Sequence, residues 1–329
     1  LIYFEVKALI TGKMLRDGIV SAANNIKSHR KEIDALNVFP VPDGDTGTNM
    51  SMTISAAARE VSLLADNSDI TAVADCAASA LLRGARGNSG VILSLIFRGI
   101  AKSMKGLKTA DSNDLSKALL SGTETAYKAV MKPTEGTILT VIRIAAEKAR
   151  ISAAKGEDTV TVWSSAFEGA KDALADTPNI LPVLKKAGVV DAGGQGLIFI
   201  FEGIKSVLES GTIISGTEDE KSPEQEKRAN VSISQEDIRF TYCTEFLVTK
   251  NGENPQNSLK LRAYLESIGD CVVVVDDDSV IKVHVHSNEP GNAIQAALVY
   301  GQLINIKIEN MRQQHENASW GVGEMAEGQ

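Results

Sequence analysis

Cysteine is nearly missing from this chain. Cys76, Cys243 and Cys271 are the only three in 329 residues, too few and too scattered for a disulfide framework, so the chain reads as cytoplasmic, from a reducing compartment. Aromatic residues make up only 5% while alanine is common, which suits close-packed helices. No run of about twenty apolar residues occurs, so no membrane span is expected. No charged-then-apolar leader opens the chain, so no secretory signal is expected. Positive charge is in deficit: 34 Lys and Arg stand against 42 Asp and Glu, a net charge of −8, which argues against broad attraction to nucleic acid or anionic lipid. Several motifs are also missing. There is no Gly-x-x-x-x-Gly-Lys-Ser/Thr loop, no strand followed by Gly-x-Gly-x-x-Gly, no Gly-x-Ser-x-Gly elbow and no protein-kinase set. Without an initiator Met, and ending at Gly328-Gln329, the chain is expected to be a fragment.

What is present is enough for two domains. An apolar fraction of 43% leaves ample material for cores. Apolar spacing at three and four residues predicts helices over about 3–28, 49–65, 69–83, 88–105, 111–131, 136–155, 158–175 and 191–210, with Gly106, Pro133, Gly156 and Pro178 punctuating the joins. Residues 213–230, above all the polar and charged stretch from Gly216, read as a linker. Beyond it the period changes. Thr241–Thr249 is strand-like, Ser258–Ile268 helical, and Cys271–Asp276 and Val280–Ser287 are β-branched runs joined by an Asp-rich hairpin turn. Asn292–Tyr300 is helical and Leu303–Met311 alternates again. The order β-α-β-β-α-β predicts a small ferredoxin-like α+β domain over 231–329, after a helical domain over 1–212.

The most informative stretch is Asn37-Val-Phe-Pro-Val-Pro-Asp-Gly-Asp-Thr-Gly-Thr-Asn-Met50. Asp43 and Asp45 flank Gly44, and a glycine-centred turn can fold both carboxylates around one hard cation. Thr46, Gly47, Thr48 and Asn49 lead straight into a helix, whose free amides and dipole attract anions. Carboxylates for a metal beside amides for an anion are what a metal–phosphate complex needs. The plainer alternative is an N-capping loop, but capping does not call for two Asp, two Gly and a Pro-x-Pro together. Gly87-Asn88-Ser89-Gly90 opens another helix. Its small residues let amides approach phosphate, and Ser89 adds a hydroxyl donor; a tight packing glycine behind a cap is the alternative.

These residues carry a resemblance. Pro-Asp-Gly-Asp-Thr-Gly-Thr-Asn-Met resembles the nucleotide-binding signature of the L-subunit family of dihydroxyacetone kinases. The Asn-Val-Phe-Pro-Val-Pro lead-in is more similar to the ATP-binding subunit of bacterial fatty acid kinase. The likeness continues at Arg83-Gly-Ala-Arg-Gly-Asn-Ser-Gly90, Lys132-Pro-Thr-Glu-Gly-Thr137, Val190-Asp-Ala-Gly-Gly-Gln-Gly196, Tyr242-Cys-Thr-Glu-Phe246 and His284-Val-His-Ser-Asn288, in order across nearly the whole chain. It implies an eight-helix antiparallel barrel with ATP and Mg2+ at one end. Asp43 and Asp45 would hold the metal. Dihydroxyacetone kinase L-subunits carry a third Asp just upstream; here Asn37 stands nearest that place and becomes the third Mg2+ candidate, with one negative charge fewer. The resemblance puts Thr134, Gly136 and Thr137 by the base and ribose, where Glu135 and the threonines also suit a capping arrangement. The glycines after Asp191 and Ala192, starting at Gly193, would let backbone lie flat against adenine, with Asp191 also an N-cap. It implies, too, a further C-terminal domain not present here.

His284 and His286 share one face of a strand at period two, and Cys243 lies on a different predicted strand. Two imidazoles and a thiolate make a borderline-soft set suited to Zn2+, and Asp276, Asp278 and Glu245 are candidates for a fourth ligand. His29, His315 and Cys271 carry no motif. Together the resemblance implies a fatty acid kinase component that moves the γ-phosphate of ATP to a fatty acid presented by a separate acyl-binding protein, with a homodimer left open. A dihydroxyacetone-type kinase and a nucleotide- and metal-sensing scaffold stand as alternatives. A zinc hydrolase is disfavoured, since no Glu or Asp neighbours the histidines in a recognisable catalytic motif.

Overall fold

The computed structural model of the chain describes residues 9–40, 42–130, 132–216, 239–250 and 257–313. The expected start of the first helix at residue 3, His315 and most of the expected linker lie outside these residues.

Strand β1 (Ile10–Thr11) pairs antiparallel with β2 (Thr109–Ala110) in a two-stranded ribbon. Between and after them run α1 (Gly12–Leu36), α2 (Thr46–Val61), α3 (Ile70–Gly84), α4 (Gly87–Met104), α5 (Ser112–Ala129), α6 (Ile138–Ala154), α7 (Thr159–Ile180), α8 (Pro182–Ala187) and α9 (Ala192–Ser210). Sequence neighbours pack together, as in α1 with α2 and α6 with α7, and α1 also packs along α9. Small residues set that spacing: a Cβ on Gly203 would stand 2.5 Å from the Ala22 backbone. The apolar stripe Ile19, Ala22, Ile26 and Ile33 of α1 is fully buried, the helical period carried through four turns.

The helices depart from their expected limits for identifiable reasons. The first ends at Leu36 rather than near residue 28 because Ile33 is buried and Asp34 is hydrogen-bonded to α2. The spacing predicts that the seventh stops at residue 175, yet Pro178 lies inside it. Proline cannot donate to the carbonyl four residues back; here the Thr177 hydroxyl donates to that Leu174 carbonyl at 2.7 Å instead. The short α8, which the periodicity does not predict, is ended by Gly188 in a left-handed conformation.

The second region is the expected β-α-β-β-α-β unit: β3 (Tyr242–Lys250), α10 (Ser258–Ile268), β4 (Gly269–Asp276), β5 (Val280–Ser287), α11 (Pro290–Ala297) and β6 (Gly301–Asn310). The sheet is antiparallel throughout, in the order β4-β5-β3-β6. One face carries Phe246, Val248, Val272, Ile281, Val283 and Val285 against Leu261 and Leu265 of α10 and Ala293 and Ala297 of α11. The alternate positions of β3 and β5 put Cys243, Glu245, His284 and His286 on the other face.

By compactness the chain forms two units. One comprises Leu1–Leu36, Asp45–Tyr127 and Thr134–Asn230; the other comprises Asn37–Gly44, Lys128–Pro133 and Val231–Gln329. Among the described residues no helix is long and apolar enough to cross a membrane.

Candidate functional site

In the helical unit the first turns of α2, α4, α6 and α9 meet. A Cβ on Gly87, the first residue of α4, would lie 2.6 Å from the Asn49 amide of α2, and one on Gly90 would lie 2.5 Å from the Thr53 hydroxyl. The Arg86 backbone N–H donates to that same hydroxyl at 3.2 Å. A Cβ on Gly193, in the first turn of α9, would lie 3.4 Å from Ser89 Oγ of α4 and 3.3 Å from Ile138, the first residue of α6. Four motif loops, 46–49, 87–90, 134–137 and 191–194, thus come to one end of the bundle. Their backbone donors and dipoles add in sign, so the place favours an anion. The glycines serve packing first: a Cβ on Gly47 would meet the Arg30 carbonyl at 2.2 Å.

The carboxylates divide the work in a way the sequence does not indicate. Asp45 occupies the N-cap position of α2, but its side chain makes no capping hydrogen bond. Asp34, at the end of α1, takes that role. It accepts from the Thr48 backbone N–H at 3.0 Å and the Thr48 hydroxyl at 2.7 Å. Burial pushes the Asp34 carboxyl up, against the Thr48 and Gly47 donors that favour its charge, with Asp45 adding repulsion. Asp45 therefore does not serve α2 as a capping side chain. Gly44, between the two aspartates, has φ of 68°, the left-handed geometry that glycine takes without steric cost. The Asn37 amide nitrogen donates to Asp43. Thr46 and Asn49 are buried in the first turn.

Glu135 does not cap α6. It accepts from the Tyr127 hydroxyl and the Thr140 hydroxyl and pairs with Arg143 at 2.8 Å. Thr137 is the N-cap instead, and its hydroxyl also donates to the Thr134 carbonyl at 2.7 Å. Arg83 forms an exposed pair with Glu60 at 2.6 Å.

Asp191 caps α9, accepting from Gly194 N–H at 2.7 Å, and also accepts from the backbone of Ile138. One buried carboxylate so ties two helix starts. Burial outweighs these donors and pushes its pKa up to about 6 from an ordinary 3.8. Between those values the folded state holds a proton that the unfolded state has lost, so stability falls as pH rises from about 4 to about 6 and is level above. The group's share of that fall is at most about 3 kcal/mol. Asp191→Asn should flatten this slope in melting temperatures recorded from pH 4 to 7; parallel curves for variant and wild type would refute the assignment.

In the sheet unit, register brings the three soft donors together. Cys243 stands opposite His286, and Glu245 opposite His284. The donor atoms of Cys243, His284 and His286 lie within 4.8 Å of one another. Glu245 Oε1 lies 2.7 Å from His284 Nδ1, the carboxylate–imidazole contact that orients metal-binding histidines. His284 Nε2 is buried and has no hydrogen-bond partner among the described residues, an orphaned atom that a metal would satisfy. Burial opposes charge on His284, but Cys243 and Glu245 outweigh it and push the imidazole up to about 10. Burial opposes charge on Glu245 as well, yet His284 and Lys282 hold it down at about 2. Burial and the neighbouring His284 push His286 down to about 3. The Glu245 carboxylate facing a buried imidazolium forms a charge arrangement in which a cation can replace the proton. Of the three fourth-ligand candidates, Glu245 touches His284; Asp276 pairs with Lys250. His29 is packed, stacked 4.0 Å from Phe199.

Comparison with known proteins adds the following. A family model described as the DAK2 domain matches residues 40–206, and one described as the middle domain of proteins like the A component of fatty acid kinase matches residues 239–318. Protein YloV of Bacillus subtilis (strain 168) is 44% identical over 312 residues, and an uncharacterized protein of Staphylococcus aureus (strain USA300) is 40% identical over 312 residues. Each alignment takes in 93% of this chain and 56% of the relative, so the chain spans about half the length of the curated relatives it matches. Among solved structures, the dihydroxyacetone kinase from C. freundii in complex with AMP-PNP and Mg2+ overlaps 58% of this chain and 33% of that one, at 20% identity and a TM-score of 0.45.

Proposed function

The chain belongs to the DAK2-domain kinase family, and from that premise we propose that it is the Mg-ATP-binding, phosphoryl-transferring part of a fatty acid kinase. One observation carries the reading: four helix N-termini converge beside Asp45, a carboxylate left free of capping by Asp34. Asp43 and Asp45, with the Asn37 oxygen, would hold Mg2+. That ion supplies charge neutralisation at the transferring phosphoryl group. Thr46, Gly47, Thr48 and Asn49, with Asn88, Ser89 and Gly90, would cradle phosphates through amides and hydroxyls. Thr134, Gly136 and Thr137, with Ala192 and Gly193 after Asp191, would line the nucleoside.

The acceptor is a fatty acid carboxylate on a separate acyl-binding protein. A carboxylate is ionised at neutral pH and needs no general base, so positioning and charge neutralisation carry the chemistry. The match to the fatty acid kinase middle-domain family supports this acceptor over a small polyol. The middle domain, placed at 231–329 after a nucleotide-binding domain over 1–212, would hold Zn2+ through Cys243, His284 and His286. The donor set, its spacing and the orphaned His284 nitrogen fit that ion.

The test is to incubate the full-length protein with labelled ATP and Mg2+, adding either an acyl-loaded partner or dihydroxyacetone. Label should appear as acyl phosphate. Label in dihydroxyacetone would move the acceptor to a polyol. Retained ATP binding without transfer to either would make the protein a nucleotide sensor.

A further inference from the structure

Two donor triads share one histidine. The donor atoms of Asp270, Cys271 and His286 lie within 4.8 Å of one another, as those of Cys243, His284 and His286 do. An irregularity in β4 brings them to one place. Asp270 pairs with His286 and Val273 with His284, so Cys271 and Val272 together stand opposite the single residue Val285. In an uninterrupted strand the alternation that points Asp270 at the histidine face would turn Cys271 toward the helices. The bulge gives that inner place to Val272, which is fully buried in the apolar core, and leaves Cys271 on the side of His286. Bulges re-aim side chains in this way. The backbone of Cys271 has φ of 50°, a left-handed conformation that glycine or asparagine would adopt more readily. The Cys271 backbone is held against its preference, and its thiol lies within 4.8 Å of a His286 ring nitrogen.

We propose that Cys271 is the fourth ligand of the metal held by Cys243, His284 and His286, delivered to the histidine face by the β4 bulge. The proposal rests on the metal-site reading given above. Two thiolates and two imidazoles form a closed tetrahedral set, the composition of structural rather than catalytic zinc. Bonds of about 2.0–2.3 Å place neighbouring donors roughly 3.5 Å apart, so both triads draw in by about an ångström, within the range of side-chain rotation. Asp270 has a different part. Its carboxylate lies 3.8 Å from His286 Nδ1 and is hydrogen-bonded by Cys271. A hard oxygen on the more exposed rim, it faces His286 at a distance too long for the hydrogen bond that Glu245 makes to His284. The site ties β3 and β4, the two neighbours of β5, to that strand across the sheet.

Cobalt substitution tests this, because thiolate-to-Co2+ charge-transfer absorption counts bound thiolates and the d–d bands report tetrahedral geometry. The chain should bind one Co2+, with charge-transfer intensity halved in Cys271→Ser and halved equally in Cys243→Ser. Cys271→Gly, which suits the left-handed backbone, should show the same halving and guards against a folding defect. An unchanged charge-transfer band in both Cys271 variants, with Cys243→Ser abolishing it, overturns the fourth ligand and leaves the triad standing. Two Co2+ per chain, one of them lost with Cys271, overturns it in favour of separate sites. No Co2+ bound by the wild type overturns the triad and the fourth ligand together.

Discussion

Asp45→Ala is expected to weaken Mg2+-supported ATP binding by more than about 100-fold, the upper range seen for groups one shell further from a metal, while helical content stays unchanged. The carboxylate makes no hydrogen bond to the helix it precedes, so its removal costs α2 little. Asp43→Ala should act alike, since Gly44 with its φ of 68° turns the chain between the two. Asp34→Ala is the informative contrast. It leaves both proposed metal carboxylates in place but removes the acceptor for Thr48 N–H and hydroxyl, so it should lower stability by about 1 kcal/mol, as lost caps do, with a smaller loss of affinity. Titration calorimetry with Mg-ATP, paired with circular dichroism, separates the three. Wild-type affinity in both Asp43→Ala and Asp45→Ala would sink the cation assignment.

His284→Ala should remove the bound metal and destabilise the sheet unit by roughly 3 kcal/mol or more, the scale for breaking a buried charged pair. Glu245 is only 4% exposed, and its contact at 2.7 Å is His284; Lys282, at 3.6 Å, compensates in part. Loss of the metal adds to the effect, because binding to a folded site is folding free energy. Elemental analysis of untagged protein purified without chelator, with thermal melts of variant and wild type, gives both readouts. ATP affinity serves as the control and should hold. Metal-free wild type melting together with the variant would return the triad to ordinary packing.

Much of the architecture is legible along the chain because its causes are local. Helical period three-to-four, strand period two and the glycine and proline punctuation act between near neighbours, so the helical half and the β-α-β-β-α-β half can be told apart before any contact is known. The same holds for the helix starts at 46–49, 87–90, 134–137 and 191–194, which residue type at short spacing marks. Local signals fail where a distant partner intervenes or a side chain takes over a backbone role. Pro178 stays helical because Thr177 satisfies the carbonyl that proline cannot, and Glu135 is drawn off by Tyr127 and Arg143 rather than capping α6. Period two puts His284 and His286 on one face but does not choose their neighbours. Strand register alone seats Cys243 and Glu245 opposite them, and a one-residue bulge alone turns Cys271 to that side. Nor does anything in the sequence join Asp34 to Thr48, or Ser89 to Gly193. Those pairings arise when helices pack at distances set by glycine and alanine, and packing, unlike periodicity, couples residues that the chain keeps far apart.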